Sequence, residues 1–593
     1  MGSQCERIVV CAGTGCTSGK SLEIIANFER ELGARGLGQI KVLKTGCFGL
    51  CSDGPIVVIQ PDECSYSRVS PEDVADIVSE HIVGGRPLER LTSKDATGAR
   101  ISLLEMDFYK KQKRVALARC GVIEPEKIDS YIAADGFKAL EKALKQMSRE
   151  EILAQVKSSG LRGRGGAGFP TGVKWGFVKD APGNTKYVVC NADEGDPGAF
   201  MDRSILESDP LSVIEAMAIA GYVVGAQEGY IYIRAEYPLA IHRLKIALAQ
   251  ARERGFLGKG ILGADFHFDL SIRYGAGAFV CGEETALLSS IEGERGVPRL
   301  RPPFPAVKGL FGCPTLINNV ETFANIGAII LNGADWFASM GTEGSKGTKV
   351  FALGGSVNNV GLVEVPMGIT LREIVFEIGG GIPDGRAFKA AQTGGPSGGC
   401  IPAEHLDISI DFESLKEVDS MMGSGGLIVM DDSKCMVAIA KFFMEFMVEE
   451  SCGKCAPCRV GLVRMNEILG RICDGQGELS DLKTLEELSQ MAAELSFCAL
   501  GKTAPNPVKT TLKYFRDEYL AHITDKRCPA GECKALLSYF ITEDCIGCTK
   551  CAKACPVGAI SGSLKELHKI DRNLCTKCGA CVKSCSKAAI VKQ

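Results

Sequence analysis

The sequence lacks an excess of charge of either sign and a long hydrophobic run, and its first residues do not have the pattern of a leader segment. Its 68 Lys and Arg residues nearly balance 72 Asp and Glu residues, for a formal net charge of −4, which excludes a globally basic surface for nucleic acid or anionic lipid. The longest apolar stretch, residues 213–226, contains Glu215 and is too short to span a bilayer. The first residues carry no apolar segment of a signal peptide. We therefore expect a soluble, cytoplasmic protein with no membrane span and no nucleic-acid partner.

Cysteine and glycine are what the chain has in excess. The 593 residues include 27 Cys and 70 Gly, and this length predicts about three to six domains. Cysteine at roughly one residue in 22 is too sparse for a small disulfide scaffold. In a reducing cytosol, thiols at short fixed spacings favour metal or iron-sulfur ligation over disulfides.

The distribution of apolar residues predicts a multidomain α/β plus α protein. A small α/β module comes first, and a longer α/β region with buried strands at 187–190 and 230–233 follows it. A Gly-rich, β-rich segment then leads into helix-length patterns, which predict a helical bundle, and into a cysteine-rich tail. The predicted domains are residues 1–100, 101–340, 341–430, 431–525 and 526–593. The predicted bundle helices are 433–450, 460–472, 482–495 and 507–522.

The tail carries a duplicated cysteine run. Its spacing, C-x2-C-x2-C-x3-C, is that of bacterial ferredoxins, in which the fourth cysteine of each run ligates the other cluster. Two 4Fe-4S clusters are therefore predicted, and a pair of zinc knuckles is the alternative. The first cluster takes Cys545, Cys548, Cys551 and Cys585. The second takes Cys575, Cys578, Cys581 and Cys555.

Two further cysteine sets predict two more clusters. Three cysteines on one loop and a distant fourth fit a third 4Fe-4S cluster. Two pairs near the start of the chain follow strand-like runs and fit a 2Fe-2S cluster, with a structural zinc as the alternative. The 4Fe-4S set is Cys452, Cys455, Cys458 and Cys498. The 2Fe-2S set is Cys11, Cys16, Cys47 and Cys51.

A weaker group combines thiols with an imidazole. Cys473, His522, Cys528 and Cys533 would satisfy tetrahedral Zn²⁺, and a satisfied histidine among structural thiols is the alternative. The eight remaining cysteines are scattered singly and are expected to act as small apolar core residues. They are Cys5, Cys64, Cys120, Cys190, Cys281, Cys313, Cys400 and Cys435.

A glycine-rich run at residues 160–175 indicates a ligand site. Backbone N–H groups in such a run can approach a phosphate or a planar ring, and Arg164 and Lys174 supply positive charge for an anion. No Ser or Thr follows Lys174, as a Mg²⁺-binding P-loop requires. This argues against an NTPase.

This run resembles the flavin loop of the NADH-binding flavoprotein subunit of respiratory complex I and its soluble relatives. Three blocks in the same order strengthen the resemblance: residues 190–198, 275–287 and 318–322. Together with the Cys452–Cys498 set, the similarity covers about residues 130–520. It implies an FMN- and NAD(H)-binding α/β domain at 101–340, a small ubiquitin-like β-grasp domain at 341–430 and a 4Fe-4S helical bundle at 431–525.

The resemblance also implies roles for individual residues. Glu194 and Phe169 would serve the hydride-transfer site, where aromatic rings stack on the nucleotide and carboxylates bind ribose hydroxyls. Core packing is the alternative for an isolated Phe. The implied FMN residues are Gly163, Arg164, Gly165, Lys174, Asn191, Asp193, Gly282, Glu283, Asn318 and Asn319. The implied nucleotide contacts are Phe169, Phe177, Glu194, Asp196, Glu284, Arg301 and Phe304.

Three of these positions depart from the family pattern. Asp196 stands for a Glu, Arg301 for a Lys and Phe279 for a Tyr. The paired acids Glu283 and Glu284 would repel a 2′-phosphate, which favours NAD over NADP.

The added domains resemble those of one branch of the family. A thioredoxin-like 2Fe-2S domain in front and a two-cluster ferredoxin domain behind resemble the beta subunit of electron-bifurcating FeFe-hydrogenases and of NAD-dependent formate dehydrogenases. The implied function is hydride exchange between NAD(H) and FMN, followed by one-electron transfer through the clusters. The implied partners are a catalytic hydrogenase or formate dehydrogenase chain, a small 2Fe-2S subunit and ferredoxin. A passive iron-sulfur scaffold without nucleotide chemistry is the alternative.

The tail is positively charged, although the chain as a whole has a small negative net charge. Residues 541–593 contain nine Lys and Arg and four Asp and Glu, a formal charge of +5. This surface is predicted to dock an acidic electron carrier or subunit, and a solvated face that balances the clusters' negative charge is the alternative.

Overall fold

The computed structural model describes residues 5–94 and 97–592. The chain divides into two compact units. The first comprises residues up to Arg386 together with Ala390–Val429, and the second comprises Ala387–Lys389 and the chain from Met430 onward. Within these described ranges, the structure contains no helix with the length and apolar character needed to cross a bilayer.

The first unit begins with a small α/β domain around a four-stranded sheet. The sheet order is β2-β1-β3-β4, with β1 and β2 parallel and the other neighbours antiparallel. Alternate residues of β1 face a core built with the apolar stripe of helix Ser21–Ala34. The strands are Arg7–Cys11 (β1), Lys41–Thr45 (β2), Val57–Gln60 (β3) and Cys64–Tyr66 (β4), and the helices are Thr14–Ser18, Ser21–Ala34, Asp73–Asp76 and a π-helix at Ile77–Val83.

A connecting segment, residues 107–117, joins this domain to the rest of the first unit. The Tyr109 hydroxyl donates to the Phe48 carbonyl at 3.1 Å. The backbone N–H groups of Ala116 and Leu117 donate to the buried Glu364 carboxylate, each at 2.9 Å. Because the carboxylate is fully buried, these bonds fix the segment firmly. The segment's short helix is Asp107–Lys110.

The central domain is built on a parallel sheet. Its order is β7-β6-β5-β8, and each pair is parallel. Strand β5 is buried over most of its length, as expected for a parallel strand covered by helices on both faces. Helix Pro210–Val224 behind it is almost wholly buried, begins at the capping Asp209 carboxylate and ends at Gly225 with φ of +81°.

The strands predicted at 187–190 and 230–233 lie within β5 and β6. The central strands are Tyr187–Ala192 (β5), Glu228–Arg234 (β6), Asp269–Gly275 (β7) and Thr315–Asn319 (β8). The helices are Ile128–Ala133, Lys138–Gln146, Arg149–Ser158, Thr171–Asp180, Met201–Ser208, Pro210–Val224, Pro238–Glu253, Glu284–Ile291, Pro305–Lys308, Val320–Ala324, Ile326–Asn332 and Ala334–Ala338.

A five-stranded sheet follows, as the β-rich segment predicts. Its order is β10-β9-β13-β11-β12, with β9 antiparallel to β10 and parallel to β13. The strands are Thr348–Gly355 (β9), Gly361–Pro366 (β10), Phe388–Thr393 (β11), Cys400–Pro402 (β12) and Gly426–Asp431 (β13), and the helices include Ser414–Glu417 and a π-helix at Glu373–Ile378.

The second unit contains the predicted helical bundle, with one difference. The pattern at 507–522 predicts one helix, but the chain forms two that meet at Phe515, whose φ of −129° and ψ of 33° are not helical. Apolar spacing continues through this corner, so the pattern does not reveal the break. The helices are Met436–Glu449, Ala456–Arg459, Gly461–Cys473, Leu479–Leu495, Ala499–Thr503, Asn506–Tyr514 and Arg516–Ile523.

The tail folds as two similar halves with little regular structure. Two short antiparallel ladders, β14 with β17 and β15 with β16, hold two short helices together. The strands are Tyr539–Ile541 (β14), Ile560–Ser561 (β15), Lys569–Ile570 (β16) and Ile590–Lys592 (β17), and the helices are Lys550–Ala554 and Ala580–Ser584.

Candidate functional site

The glycine-rich loop lies between helices Arg149–Ser158 and Thr171–Asp180 and is packed too closely for side chains. A Cβ atom built on Gly165 would lie 3.0 Å from the Asn319 Cβ. Gly168 has φ of +63°, and a Cβ there would come within 2.7 Å of the Phe412 ring. The Gly163 N–H donates to the Phe169 carbonyl at 2.8 Å. The glycines thus form a narrow cradle whose backbone can approach a flat ligand.

The structure corrects the expectation for the Arg164 side chain. Its guanidinium is buried and donates to the carbonyls of Thr348, Arg162 and Lys346 at 2.9, 2.7 and 2.8 Å. These hydrogen bonds offset the free-energy cost of burying the guanidinium cation away from water. The charge therefore braces the loop through these carbonyls. The other predicted cation, Lys174, lies on the helix Thr171–Asp180 that follows the loop. Lys174 Nζ lies 3.2 Å from the Ile317 carbonyl and 3.8 Å from Glu284.

The carboxyl ends of the neighbouring strands β5 and β8 bring three predicted asparagines together. Asn191 of β5 pairs in register with Asn319 of β8, and Cys190 pairs with Asn318. The Asn191 amide donates to the Gly282 carbonyl at 2.9 Å, and Trp175 Nε1 donates to the Asn318 side-chain oxygen at 3.0 Å. Ligands of open parallel sheets bind in this kind of crevice.

Acidic side chains lie beside this crevice. The Asp193 N–H donates to the Asn191 side-chain oxygen at 3.1 Å, and Asp193 is buried. Glu283 caps helix Glu284–Ile291 by accepting from the N–H groups of Thr285 and Ala286, each at 2.9 Å.

Glu194 is buried at the start of another helix. Its carboxylate accepts the backbone N–H groups of Asp202 and Arg203 at 3.0 and 3.1 Å, and its carbonyl accepts the Tyr237 hydroxyl at 2.9 Å. Burial raises the pKa of Glu194, and the backbone hydrogen bonds and the Arg203 cation act against that rise. The carboxylate is thus held by the helix and fixed in position near the crevice.

Asp196 forms a hydrogen bond with the β-rich domain. Its carboxylate accepts the Ser424 hydroxyl, and a Cβ built on Gly395 would lie 2.6 Å from the same group. Burial raises the pKa of Asp196 to about 6. Gly166 of the loop forms a bridge with Gly423 beside Ser424, so the β-rich domain closes one side of the cradle.

Aromatic side chains are exposed around the crevice, where apolar residues would ordinarily be covered. Phe169, Phe177 and Phe304 are 44%, 56% and 56% exposed, and the first two rings lie 6.4 Å apart. Their exposure argues against core packing and agrees with the predicted stacking on a planar ligand. The Arg301 guanidinium pairs with Glu284 at 2.8 Å and with Glu283 at 3.4 Å.

The first four predicted cluster ligands lie together. The Cys11 thiol is hydrogen-bonded to the thiols of Cys16 and Cys47, and the Cys47 thiol is also hydrogen-bonded to the thiol of Cys51. Cys11 ends β1 and Cys16 lies on the next helix, Thr14–Ser18, whereas Cys47 and Cys51 follow β2, the parallel neighbour of β1. Two pairs of thiols on adjacent segments suit a 2Fe-2S cluster.

The bundle set is also gathered. Cys458 is buried and interacts electrostatically with Cys452, Cys455 and Cys498. Burial raises the pKa of the Cys458 thiol to about 11, and the Ser451 hydroxyl lies 3.1 Å from its sulfur. The residues present suit a 4Fe-4S cluster.

In the tail, the chain places two groups of four cysteines around two cavities. One cavity is lined by Cys545, Cys548, Cys551 and Cys585. The other is lined by Cys575, Cys578, Cys581 and Cys555. Each run thus contributes its fourth cysteine to the other cavity, the arrangement of two-cluster ferredoxins.

The thiol–imidazole group differs from the sequence-based assignment. The four ligand atoms that lie within 4.8 Å of one another belong to Cys435, His522, Cys528 and Cys533. Cys435 takes the place that the sequence-based assignment gives to Cys473, which interacts with Cys533 from beside the group. Cys435, expected to be a simple core residue, immediately precedes helix Met436–Glu449 and meets His522 on helix Arg516–Ile523.

Distances within this group suit a metal. His522 Nε2 lies 3.4 Å from the Cys435 sulfur and 3.3 Å from the Cys533 sulfur, and the two sulfurs are 3.8 Å apart. Ligands about 2.3 Å from a tetrahedral Zn²⁺ are separated by about 3.8 Å. The other ring nitrogen, Nδ1, lies 2.7 Å from the Glu518 carbonyl, which leaves Nε2 for the metal.

Three residues beside the crevice at the ends of β5 and β8 are absent from the sequence-based assignment of the site. Asp202 accepts the Asn319 amide and the Glu321 N–H, and Glu321 forms a buried ion pair with Lys349. Asp202 and Lys349 lie outside the blocks that carry the family resemblance, whereas Glu321 belongs to the block at 318–322. Only the nearness of 201–203 to the block at 190–198 could have drawn attention to Asp202.

Models of four protein families match the chain. They are the thioredoxin-like [2Fe-2S] ferredoxin (residues 3–81), the Nuo51 FMN-binding domain (156–328), the NADH-ubiquinone oxidoreductase-F iron-sulfur binding region (438–522) and the 4Fe-4S dicluster domain (544–590). They account for an FMN-binding domain and iron-sulfur regions in one oxidoreductase chain.

Individual relatives agree with these models. The chain is 58% identical over 485 residues to the NADP-reducing hydrogenase protein HndC of Solidesulfovibrio fructosivorans, covering 82% of this chain and 99% of that one. It is 50% identical over 415 residues to an NADH-quinone oxidoreductase F-type protein of Rhizobium meliloti, covering 70% and 99%. A chain of the NAD⁺-reducing [NiFe]-hydrogenase in the H₂-reduced state shares the architecture at a TM-score of 0.62 and 30% identity, covering 87% and 84%.

Proposed function

The chain belongs to the family of NADH-quinone oxidoreductase F-type flavoproteins, and from that premise we propose that it exchanges hydride with NAD(H) and passes single electrons onward within a hydrogenase complex. FMN, when bound, accepts a hydride and gives up electrons one at a time. The observation that carries the proposal is the cradle between the glycine-rich loop and the ends of β5 and β8, flanked by exposed Phe rings.

The chain's own residues supply binding and orientation. Backbone N–H groups of residues 165–168 and the amides of Asn191 and Asn319 would hold the flavin, and Lys174 would face its phosphate. Phe169 and Phe177 would stack on the nucleotide. Glu194, held by two backbone N–H groups, would fix the nicotinamide end so that hydride transfer needs little reorganisation.

We further propose the cofactor set as one 2Fe-2S cluster, three 4Fe-4S clusters and one Zn²⁺. The Zn²⁺ would take Cys435, His522, Cys528 and Cys533, whose spacing suits a tetrahedral ion. All four ligands are buried, so the site would be a closed, structural one. It would join the bundle to the segment that leads into the tail.

The partners are proposals of the same kind. The likeness to HndC and to the NAD⁺-reducing hydrogenase favours a hydrogenase catalytic chain over a formate dehydrogenase chain, with a small 2Fe-2S subunit in the same complex. Thiolate-bound clusters favour a reducing compartment, the cytoplasm. The +5 charge of the tail favours an acidic carrier such as ferredoxin as the second electron partner, which would allow electron bifurcation.

Anaerobic titration of the purified protein with NADH and NADPH tests the function. We expect NADH to bleach the flavin absorption band and then to reduce the clusters. The parallel titration with NADPH measures nucleotide preference, because Arg301 pairs with both Glu283 and Glu284 and offsets their repulsion of the extra phosphate. A flavin band that neither nucleotide bleaches would support the passive scaffold instead. Mixing with ferredoxin over a salt series tests the docking surface, since a rate insensitive to ionic strength would exclude docking by charge.

A further inference from the structure

One short helix connects the flavin crevice to the amino-terminal cysteine loops. This coupling helix, Met201–Ser208, has eight residues, and all but Arg203 are buried. At a rise of about 1.5 Å per residue it is about 12 Å long. Its first turn donates to Glu194, and its last turn contacts the loops that carry Cys11, Cys16, Cys47 and Cys51.

The contacts at its end are specific. The Glu207 carboxylate accepts the N–H and the hydroxyl of Thr14, at 2.9 and 2.5 Å. Thr14 begins the short helix that carries Cys16. The Ser208 hydroxyl accepts the Cys47 N–H at 2.9 Å. A Cβ built on Gly13 would lie 3.5 Å from a Glu207 oxygen and 3.2 Å from the Cys47 Cβ. The carboxylate is therefore at the cysteine loops themselves.

A cation lies between the two ends of the helix. The Arg203 guanidinium lies 5.4 Å from the centre of the Tyr237 ring, whose hydroxyl bonds Glu194. Its Nε is 3.9 Å from a Glu207 oxygen. It also interacts electrostatically with both Glu194 and Cys51. One cation thus acts on both sites.

We propose that Arg203 and Glu207 are positioning residues that couple the flavin site to the amino-terminal 2Fe-2S cluster and shift its reduction potential in opposite directions. The inference rests on the proposed function, because it requires the cluster in this domain. One-electron reduction makes the cluster more negative. A fixed cation nearby favours the reduced form and a fixed carboxylate disfavours it.

The test is a redox titration of the full-length protein followed by electron paramagnetic resonance, with the other clusters as internal references. Arg203→Gln should make reduction of the 2Fe-2S cluster about tenfold less favourable, a shift of about 59 mV to lower potential for one electron. Glu207→Gln should give a shift of similar size to higher potential. Arg203→Lys keeps the charge and should restore most of the wild-type value.

Arg254→Gln is the matched control, because it removes the same charge from a surface pair with Asp129. Iron and flavin contents show that each variant is assembled. Shifts of the same sign in Arg203→Gln and Glu207→Gln, or shifts no larger than that of Arg254→Gln, would overturn the coupling. A wild-type protein without any 2Fe-2S signal would instead count against the proposed function.

Discussion

A buried ion pair beneath the flavin crevice gives a prediction with a calculable size. Lys349 of β9 and Glu321 of helix Val320–Ala324 pair with side-chain exposures of 0% and 1%. Lys349 Nζ also donates to the carbonyls of Val350 and Ser424 at 2.7 and 2.6 Å. Glu321 lies two residues after the helix cap Asn319, so the pair anchors a predicted flavin ligand to the β-rich domain.

Replacing Lys349 with Met would leave the Glu321 carboxylate buried without its cation. Breaking one partner of a buried pair costs about 3–5 kcal/mol, a large share of the roughly 5–15 kcal/mol that stabilises typical proteins. Burial already raises the pKa of Glu321, and Lys349 opposes that rise. Without the lysine the folded-state pKa rises further, so the destabilisation should grow as the pH rises above the acid's ordinary pKa and shrink below it.

Urea unfolding at pH 5 and pH 7.5, with flavin content after gel filtration, measures this effect. The double variant Lys349→Met/Glu321→Gln should regain most of the lost stability, because it removes the unpaired charge. The exposed Lys259→Met is the control for loss of a lysine. A single variant within about 1 kcal/mol of wild type, or a double variant no more stable than the single, would refute the reasoning.

Three further predictions follow from other contacts. Gly46→Ala should destabilise the protein by about 1–3 kcal/mol and disturb the 2Fe-2S signal, because the added Cβ would lie within 2.5 Å of Ser208 on the coupling helix. The control Gly33→Ala adds a Cβ in open space and should do neither. Equal stability and equal signals in the two variants would contradict the close contact between Gly46 and the coupling helix. Cys435→Ser should release zinc, measured by elemental analysis, while Cys473→Ser should retain it; the reverse result would restore the sequence-based assignment. Burial raises the pKa of Asp196 from 3.8 to about 6, so the folded state binds the proton more tightly than the unfolded state and loses up to about 2 kcal/mol of stability as the pH rises from about 4 to about 6. Asp196→Asn should remove that part of the pH dependence of thermal unfolding. A pH profile that the substitution leaves unchanged would exclude this contribution of Asp196.

Regular spacing made much of this molecule predictable. Parallel strands with apolar runs, such as β5, are recognisable because both faces are buried. Cysteines separated by only two or three residues stay close together in the folded chain, so their spacing in the sequence predicts a shared cluster. Even the exchange of Cys555 and Cys585 between the two cavities follows from the duplication, because two similar halves pack against each other.

What could not be predicted depends on tertiary contacts. Cys435 joins His522 because two helices distant in sequence cross there, and no local pattern carries that information. The Arg164 side chain is drawn inward by three carbonyls, although its neighbours in sequence indicate a ligand loop. The corner at Phe515 interrupts a continuous apolar pattern, since packing and not periodicity determines where a helix ends.

The connecting segment held by Glu364 has a consequence for assembly. Because the amino-terminal domain is joined covalently to the flavin domain, its docking is an intramolecular event with an effective concentration of about millimolar or higher. The docking surface can therefore rely on a few polar contacts, such as those of Thr14 and Cys47, and needs no large apolar interface. The ratio of one 2Fe-2S domain to one flavin domain is fixed when the chain is synthesised, whatever the supply of partner subunits.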